Sequence, residues 1–396
     1  MKKTVLTTLV ILLFISVSLS AQNTTADEEY IKAVTTQNID QKVKLLKEYL
    51  TKYGGKGTKY ENHVYANLCL LRYRGKKAKE TINYGEKALA MGELDDYTKS
   101  QIYLQLSGLY SQLGQNLEKA KNYALQTIQI AKANKNKESA TMSPAEWNKF
   151  IGAGYLAHGQ ALEKAKDLKR AVDSYINSYK ILKNIQIAKS LQRIGKSLYD
   201  FKFYNEAEKA FKIANEALKD FRSCAFYAKT LYRNGKKEEA LKYFKQAYAK
   251  QKSGEIAYNI GIILAGKGKK NPSQSQEAIK HLLDASFLSP LHSKKAMDLA
   301  ERLFFSGNKE LRYNEKVKEL SKKTKKLEEL TKTFNKKFED KAEEDLSDNE
   351  KKEMEKFLAN IDAEEKAIQK LKAEQEAVLE KFNKLIEETK KRLGIT

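Results

Sequence analysis

The chain has 396 residues, of which 74 are Lys or Arg and 51 are Asp or Glu, giving a net charge of +23. Its 3 prolines and 2 cysteines exclude a sandwich or barrel built on many tight turns, a proline-rich disordered chain, a disulfide framework and a thiolate metal site. An apolar content of 41%, with 15 Phe and 22 Tyr, is enough to build a core, and long helices in two or three domains are the natural reading.

Residues 1–21, MKKTVLTTLVILLFISVSLSA, place two lysines before an apolar run and end it on small residues. That order is a secretory signal, with cleavage after Ala21 or Ser20. The run from Val5 to Val17 falls short of the roughly 20 residues a spanning helix needs, so no stable transmembrane segment is expected after cleavage. The mature chain is therefore expected outside the cytoplasm, in a periplasm or cell envelope or secreted. Cys69 and Cys224 each fall on the apolar face of a helix and read as small core residues.

Residues 30–53 read as a degenerate helix pair that caps the downstream helices, ended by Gly54-Gly55-Lys56-Gly57. Tyr65, Leu68 and Cys69 then lead through Gly75 to Thr81, Gly85 and Ala88. Tyr103, Leu106, Ser107 and Tyr110 lead through Gly114 to Ala120, Ala124 and Thr127. Residues 133–144 are polar and predict an extended connection. Four clearer units come next, at about 152–185, 188–220, 221–253 and 254–290. In the second, Leu191, Ile194, Gly195 and Leu198 precede Ala207, Phe211 and Ala214; in the third, Cys224, Tyr227, Ala228 and Leu231 precede Ala240, Phe244 and Ala247. The first pairs Tyr155, His158, Gly159 and Leu162 with Ala171, Tyr175 and Ser178, and the fourth pairs Ala257, Ile260, Gly261 and Leu264 with Ala278, Leu282 and Ala285. Residues 267–276 read as an insertion in the last turn, and 293–306 as a closing helix.

This order of residues resembles the tetratricopeptide repeat, a helix-turn-helix of about 34 residues in which small side chains let two antiparallel helices approach and large ones fill the space between pairs. Ala207 and Ala240 stand 33 positions apart. The resemblance covers residues 30–308, with 30–132 degenerate, and implies an all-α solenoid of about six helix pairs. Thr81, Gly85 and Ala88 depart from the family's aromatic position, so that pair is expected to pack loosely. The resemblance further implies that first helices line a concave face whose second, fifth, ninth, twelfth and thirteenth positions contact a peptide. Carried over, those positions hold Lys189, Gln192, Lys196 and Tyr199 in one unit and Arg222, Ala225, Lys229, Tyr232 and Arg233 in the next. Tyr73 and Arg74 take the last two places of an earlier unit. The candidate site is thus a basic, tyrosine-bearing groove for an acidic partner segment; the Asn residues typical of the family's carboxylate clamps are absent.

From Lys309 onward Lys and Glu dominate, with 23 basic against 22 acidic residues. Val317, Leu320, Thr324, Leu327, Thr331, Phe334 and Phe338 form one seam, and Met354, Phe357, Ile361, Ile368, Leu371, Val378, Phe382 and Leu385 a second. Residues 309–394 therefore read as long charged helices or coiled coil with a break near 340–349, a new helix starting at about Asp348 behind the capping box Ser347–Glu350. Two such stripes fold back as a hairpin or associate with another chain; the hairpin is favoured because it covers both without a partner.

Catalytic and metal chemistry have no motif to rest on. His63, His158, His281 and His292 lie in different units without a second ligand at metal spacing, and His158 sits at a packing position. Gly261 to Lys267 has the spacing of a phosphate loop, but Gly268 stands where Ser or Thr must reach magnesium, and the residues belong to a repeat helix. No cofactor is expected. With the C-terminal helices nearly neutral, the mature repeat region carries about +20. The sequence thus points to a non-enzymatic scaffold binding an acidic protein segment. Binding of an anionic envelope polymer is the alternative, and export argues against nucleic acid.

Overall fold

The computed structural model describes residues 25–137, 142–268, 272–338 and 346–395. The export segment lies outside them. Contacts divide the chain between Lys219 and Asp220 into two compact units.

In the first unit, a helix over residues 25–35 (α1) precedes α2 (Ile39–Tyr53), α3 (Glu61–Leu70), α4 (Ala78–Met91) and α5 (Asp96–Leu113). Then come α6 (Leu117–Asn134), α7 (Pro144–Lys164), α8 (Leu168–Leu182), α9 (Ile185–Asp200) and α10 (Tyr204–Leu218). Asn38 starts α2 by accepting the Gln41 N–H at 2.9 Å, and Val43, Leu46, Tyr49 and Tyr53 bury one stripe against Ala26 and Ala33. The two helices thus pack on each other and on Val64 and Leu68 of α3. Gly55 and Gly57 take φ of 78° and 66°, a left-handed turn that a side chain would strain.

The pair α3/α4 is not loosely packed. A Cβ on Gly85 would lie 2.8 Å from Leu106 Cδ2 and 3.0 Å from Cys69 Sγ, so the missing aromatic is replaced by closer approach. The connection after α6 is shorter than expected, because α6 runs to Asn134 and Ser143 opens α7 with a reciprocal capping box to Glu146.

The second unit holds α11 (Phe221–Arg233), α12 (Lys237–Lys250), α13 (Gly254–Gly268), α14 (Pro272–Leu288) and α15 (Ser293–Gly307). A single 3-10 turn at Lys309–Leu311 then leads to α16 (Tyr313–Phe338) and α17 (Asp348–Leu393). The expected insertion is largely taken up by helix, since α13 extends to Gly268 and α14 begins at Pro272. The phosphate-loop spacing lies inside α13, where its amides serve the helix.

α16 and α17 form a hairpin within one chain. Lys316 pairs with Glu374, Lys323 and Lys326 reach Glu364 at 3.0 and 2.6 Å, and Lys337 reaches Glu353 at 2.5 Å, so partners descend as the first helix ascends. The Ser347 box is formed, and α17 starts at Asp348. Hairpin and repeats share a core in this unit: Phe382 packs 5.3 Å from Phe304 and 5.9 Å from Phe305, and Tyr313 stacks on Phe305 at 3.9 Å.

Candidate functional site

Each helix that carries groove residues is built with two unlike faces. On α9, Ile187, Ala188, Leu191, Ile194, Gly195 and Leu198 are buried. Lys189 on the other side is exposed, while Lys196 and Tyr199 are half-buried. The spacing of 189, 196 and 199 puts these three on one helical stripe. Lys196 Nζ meets its neighbour Asp200 at 2.5 Å, so its charge is shared within the helix.

On α11, Cys224, Tyr227, Ala228 and Leu231 turn inward, whereas Arg222 and Arg233 lie on the outer side and Tyr232 is half-buried. Lys229 lies lower than a free groove cation would. Its side chain is only 17% exposed, its ammonium pairs with Glu255 at 2.7 Å, and it sits 5.0 Å from the Phe226 ring centroid. The α9 residues belong to the first unit and the α11 residues to the second; each helix presents its own basic stripe. Tyr73, of the earlier unit, has its hydroxyl enclosed and unpartnered, and Lys47 and Lys76 lie 5.7 and 5.8 Å from its ring centroid.

The inner contacts show how the helices of each pair close on one another. A Cβ on Gly195 would lie 3.2 Å from Ala210 Cβ and from the Phe211 ring, and one on Gly159 would lie 3.3 Å from the Tyr175 ring. In the second unit, Gly261 stands in the same relation to Leu282, at 2.6 Å. Small residues of the first helix thus receive the large residue of the second, pair after pair. The helix pairs pack as the tetratricopeptide resemblance implies. No protein-family model and no curated protein matches the sequence. Among solved structures the chain is similar to YrrB, a tetratricopeptide protein with an unusual peptide-binding site, at 18% identity over 53% of this chain and 97% of that one, with a TM-score of 0.33. A tetratricopeptide repeat protein from Parabacteroides merdae matches at 15% identity over 70% and 98%, with a TM-score of 0.32. The TPR2AB domain of yeast Sti1, in complex with pHSP90, matches at 14% identity over 62% and 97%, with a TM-score of 0.25.

Several polar clusters carry no sequence signature. Glu86 accepts from the Tyr110 and Tyr123 hydroxyls at 2.7 and 2.8 Å and from Lys119 at 3.1 Å. Burial acts to raise its carboxyl, but these three donors outweigh it and hold it below the usual range. Glu163 is held low in the same way by Arg193 and by Tyr175, whose hydroxyl lies at 2.8 Å. In the second unit Asp284, with no exposed surface, accepts from the Tyr248 hydroxyl at 2.6 Å and from both terminal nitrogens of Arg392 on α17. Residues 108 positions apart meet here, and only the fold could reveal it.

His158 and His281 are packing residues. His158 Nδ1 lies 2.9 Å from Ser174 Oγ, and burial lowers its pKa. His281 is 8% exposed with Nδ1 unpartnered, its ring 5.1 Å from that of Tyr248, and burial lowers its pKa to about 4. Among the described residues no group of three His, Cys, Asp or Glu side chains is placed to hold a metal. Both cysteines are buried, and burial pushes the Cys69 thiol up to about 11, far from a reactive thiolate. What the arrangement can do is bind: it presents fixed cations and phenol rings on rigid helices.

Proposed function

We propose that this chain is a non-enzymatic interaction scaffold of the bacterial periplasm or cell envelope. The basic stripes of its first helices each engage acidic residues of a partner protein. The observation that carries this reading is the division of α9 and α11 into a buried face and an outer side on which Lys189, Arg222 and Arg233 are exposed, with Lys196, Tyr199 and Tyr232 half-buried beside them and Lys229 lower, against Glu255. Carboxylates of a partner would accept charge-assisted hydrogen bonds there, the positive field would speed encounter, and the phenol rings would add contact area at small entropic cost. Lys189 and Arg222 are exposed and are expected to contribute most. Lys196 and Lys229 must first give up Asp200 and Glu255. Export by residues 1–21 supplies the compartment.

The test starts from the tagged full-length chain in a Gram-negative host: N-terminal sequencing of the envelope-fraction protein should begin at Ala21 or Gln22. Affinity purification from that fraction should return a protein partner whose binding is abolished by Lys189→Glu with Arg222→Glu while the helical circular dichroism is unchanged. Unchanged binding in that variant would sink the groove. No protein partner, together with binding to acidic polysaccharide that falls steeply with salt, would replace it by the polymer reading.

A further inference from the structure

Within the first unit, the turn between α9 and α10 breaks the pattern of its neighbour. Turns 165–167 and 201–203 share one backbone form, with Lys166 at φ 61° and Lys202 at φ 65°, and with the residue after each donating its N–H five positions back, to Leu162 and Leu198. Where the first has Ala165 and Asp167, the second has Phe201 and Phe203. Asp167 caps α8 by accepting the Arg170 N–H at 3.2 Å; Phe203 gives α10 no side-chain cap. Phe201 is 66% exposed and Phe203 40% exposed. Neither ring serves the core, and large aromatic surface left in water at a tight turn is the informative kind of exposure.

The two turns enclose a groove of about 510 Å³ floored by Leu168, Leu198, Phe201 and Phe203. Lys169 Nζ lies 3.7 Å above the Phe203 ring centroid and Lys166 stands on the rim. Among the described residues the ammonium groups of Lys166, Lys169 and Lys202 have no carboxylate partner, and the one acid at the groove, Asp167, is taken by Arg170. Charge at this place is therefore unbalanced and positive, beside an apolar floor wide enough for one bulky side chain.

We infer that this turn edge is a second docking site, distinct from the basic stripes of the first helices, for a protein segment in which a bulky apolar residue is flanked by acidic ones. The apolar side chain enters between Phe201 and Leu168, and the flanking carboxylates meet Lys166, Lys169 and Lys202. A lipid surface fits less well, because the apolar surface is confined to one small groove beside a single turn.

The probe is a dye-labelled, end-blocked peptide Asp-Glu-Phe-Glu-Asp read by fluorescence anisotropy on the mature full-length chain, beside a control peptide with Ala in place of Phe. Binding should weaken at least about tenfold, or 1.4 kcal/mol, for the Ala peptide, for Phe201→Ser and for Phe203→Asn. Lys189→Glu with Arg222→Glu should change it less than about twofold, which separates this site from the first-helix stripes. Phe203→Asn supplies the cap that α10 lacks, so its thermal midpoint should rise while its binding falls, and loss of fold cannot account for the result. Equal binding of both peptides, or full binding by Phe201→Ser and Phe203→Asn, would overturn the inference. Absence of peptide binding, with sedimentation on phosphatidylglycerol vesicles that Phe201→Ser abolishes, would overturn it in favour of a lipid surface.

Discussion

Arg392→Met should loosen the end of α17 more than any other single change in the hairpin. Asp284 has no exposed surface, and its two oxygens are satisfied by Arg392 and by the Tyr248 hydroxyl at 2.6 Å. Removing one partner of a buried ion pair costs about 3–5 kcal/mol because a charge is stranded. Two features reduce that here. The Arg392 side chain is 37% exposed, so the pair is screened, and Tyr248 still donates to the stranded carboxylate. About 2–3 kcal/mol is expected, which is a loss of about 30- to 150-fold in hydrogen-exchange protection for the amides of the last turns of α17. Asp284→Asn should cost less, because Asn keeps an acceptor for Tyr248 and the guanidinium can turn to water. Replacing all three, as Tyr248→Phe, Asp284→Leu and Arg392→Met, should restore most of the protection, since a matched apolar set needs no desolvated charge. Exchange mass spectrometry on the full-length chain reads each variant. A loss under about threefold for Arg392→Met, or a larger loss for Asp284→Asn, would refute the reasoning.

The adjoining His281 gives a pH dependence of definite sign. Burial holds its folded pKa at about 4 against 6.5 unfolded, with Asp284 and Glu277 opposing and Lys280 and Lys245 assisting. The unfolded chain therefore binds the extra proton between those values: stability is complete above about pH 6.5 and falls as pH drops toward 4, by on the order of 3 kcal/mol at most. His281→Phe should flatten that part of the urea-stability profile relative to the parent, and an unchanged slope would count against a buried neutral imidazole. Two glycines of α13 should respond oppositely to Ala. Gly261→Ala puts a methyl 2.6 Å from Leu282 Cγ and should cost about 1–3 kcal/mol, whereas Gly266→Ala meets nothing within 4 Å and should gain about 0.5–1 kcal/mol. Thermal unfolding followed by circular dichroism separates the two, and equal effects would mean that Gly261 is not at a close approach.

How much of this was legible from sequence depends on how local the cause is. The start of α17 at Asp348 could be read because Ser347 and Glu350 act over a single turn. The helix pairs could be read because Gly195, Phe211 and their counterparts recur at fixed offsets, and each offset reflects a contact between adjacent helices. Departures from an offset are where sequence misleads. Gly85 stands where an aromatic belongs, and only the position of Leu106 shows that the neighbouring pair closes the gap. Glu364, as an acid, gives no seam signal. It is 9% exposed all the same, because Lys323 and Lys326 reach it from the facing helix. Asp284 is the extreme case, a buried carboxylate whose cation stands 108 positions away.

Ion pairs between repeats also change what the net charge means. Lys47 pairs with Glu80 at 2.8 Å, Lys119 with Glu86 at 3.1 Å, and Arg193 with Glu163, each joining one helix pair to the next. In all three the carboxylate is the more enclosed member, with side chains 30%, 28% and 22% exposed against 44%, 53% and 59% for the cations. Pairs this exposed contribute little to stability, about 0–1 kcal/mol each, so their effect is on direction. In these three contacts the acids are drawn inward, where tyrosine hydroxyls also hold Glu86 and Glu163; in the second unit the order reverses, Lys229 and Lys267 being 17% and 27% exposed against 49% and 75% for Glu255 and Glu238. A count of residues treats the positive excess as spread over the chain. The fold distributes it unevenly: Lys166, Lys169, Lys189 and Arg222 stand exposed and, among the described residues, outside any ion pair, so a partner's carboxylates would meet them without displacing an acid of this chain.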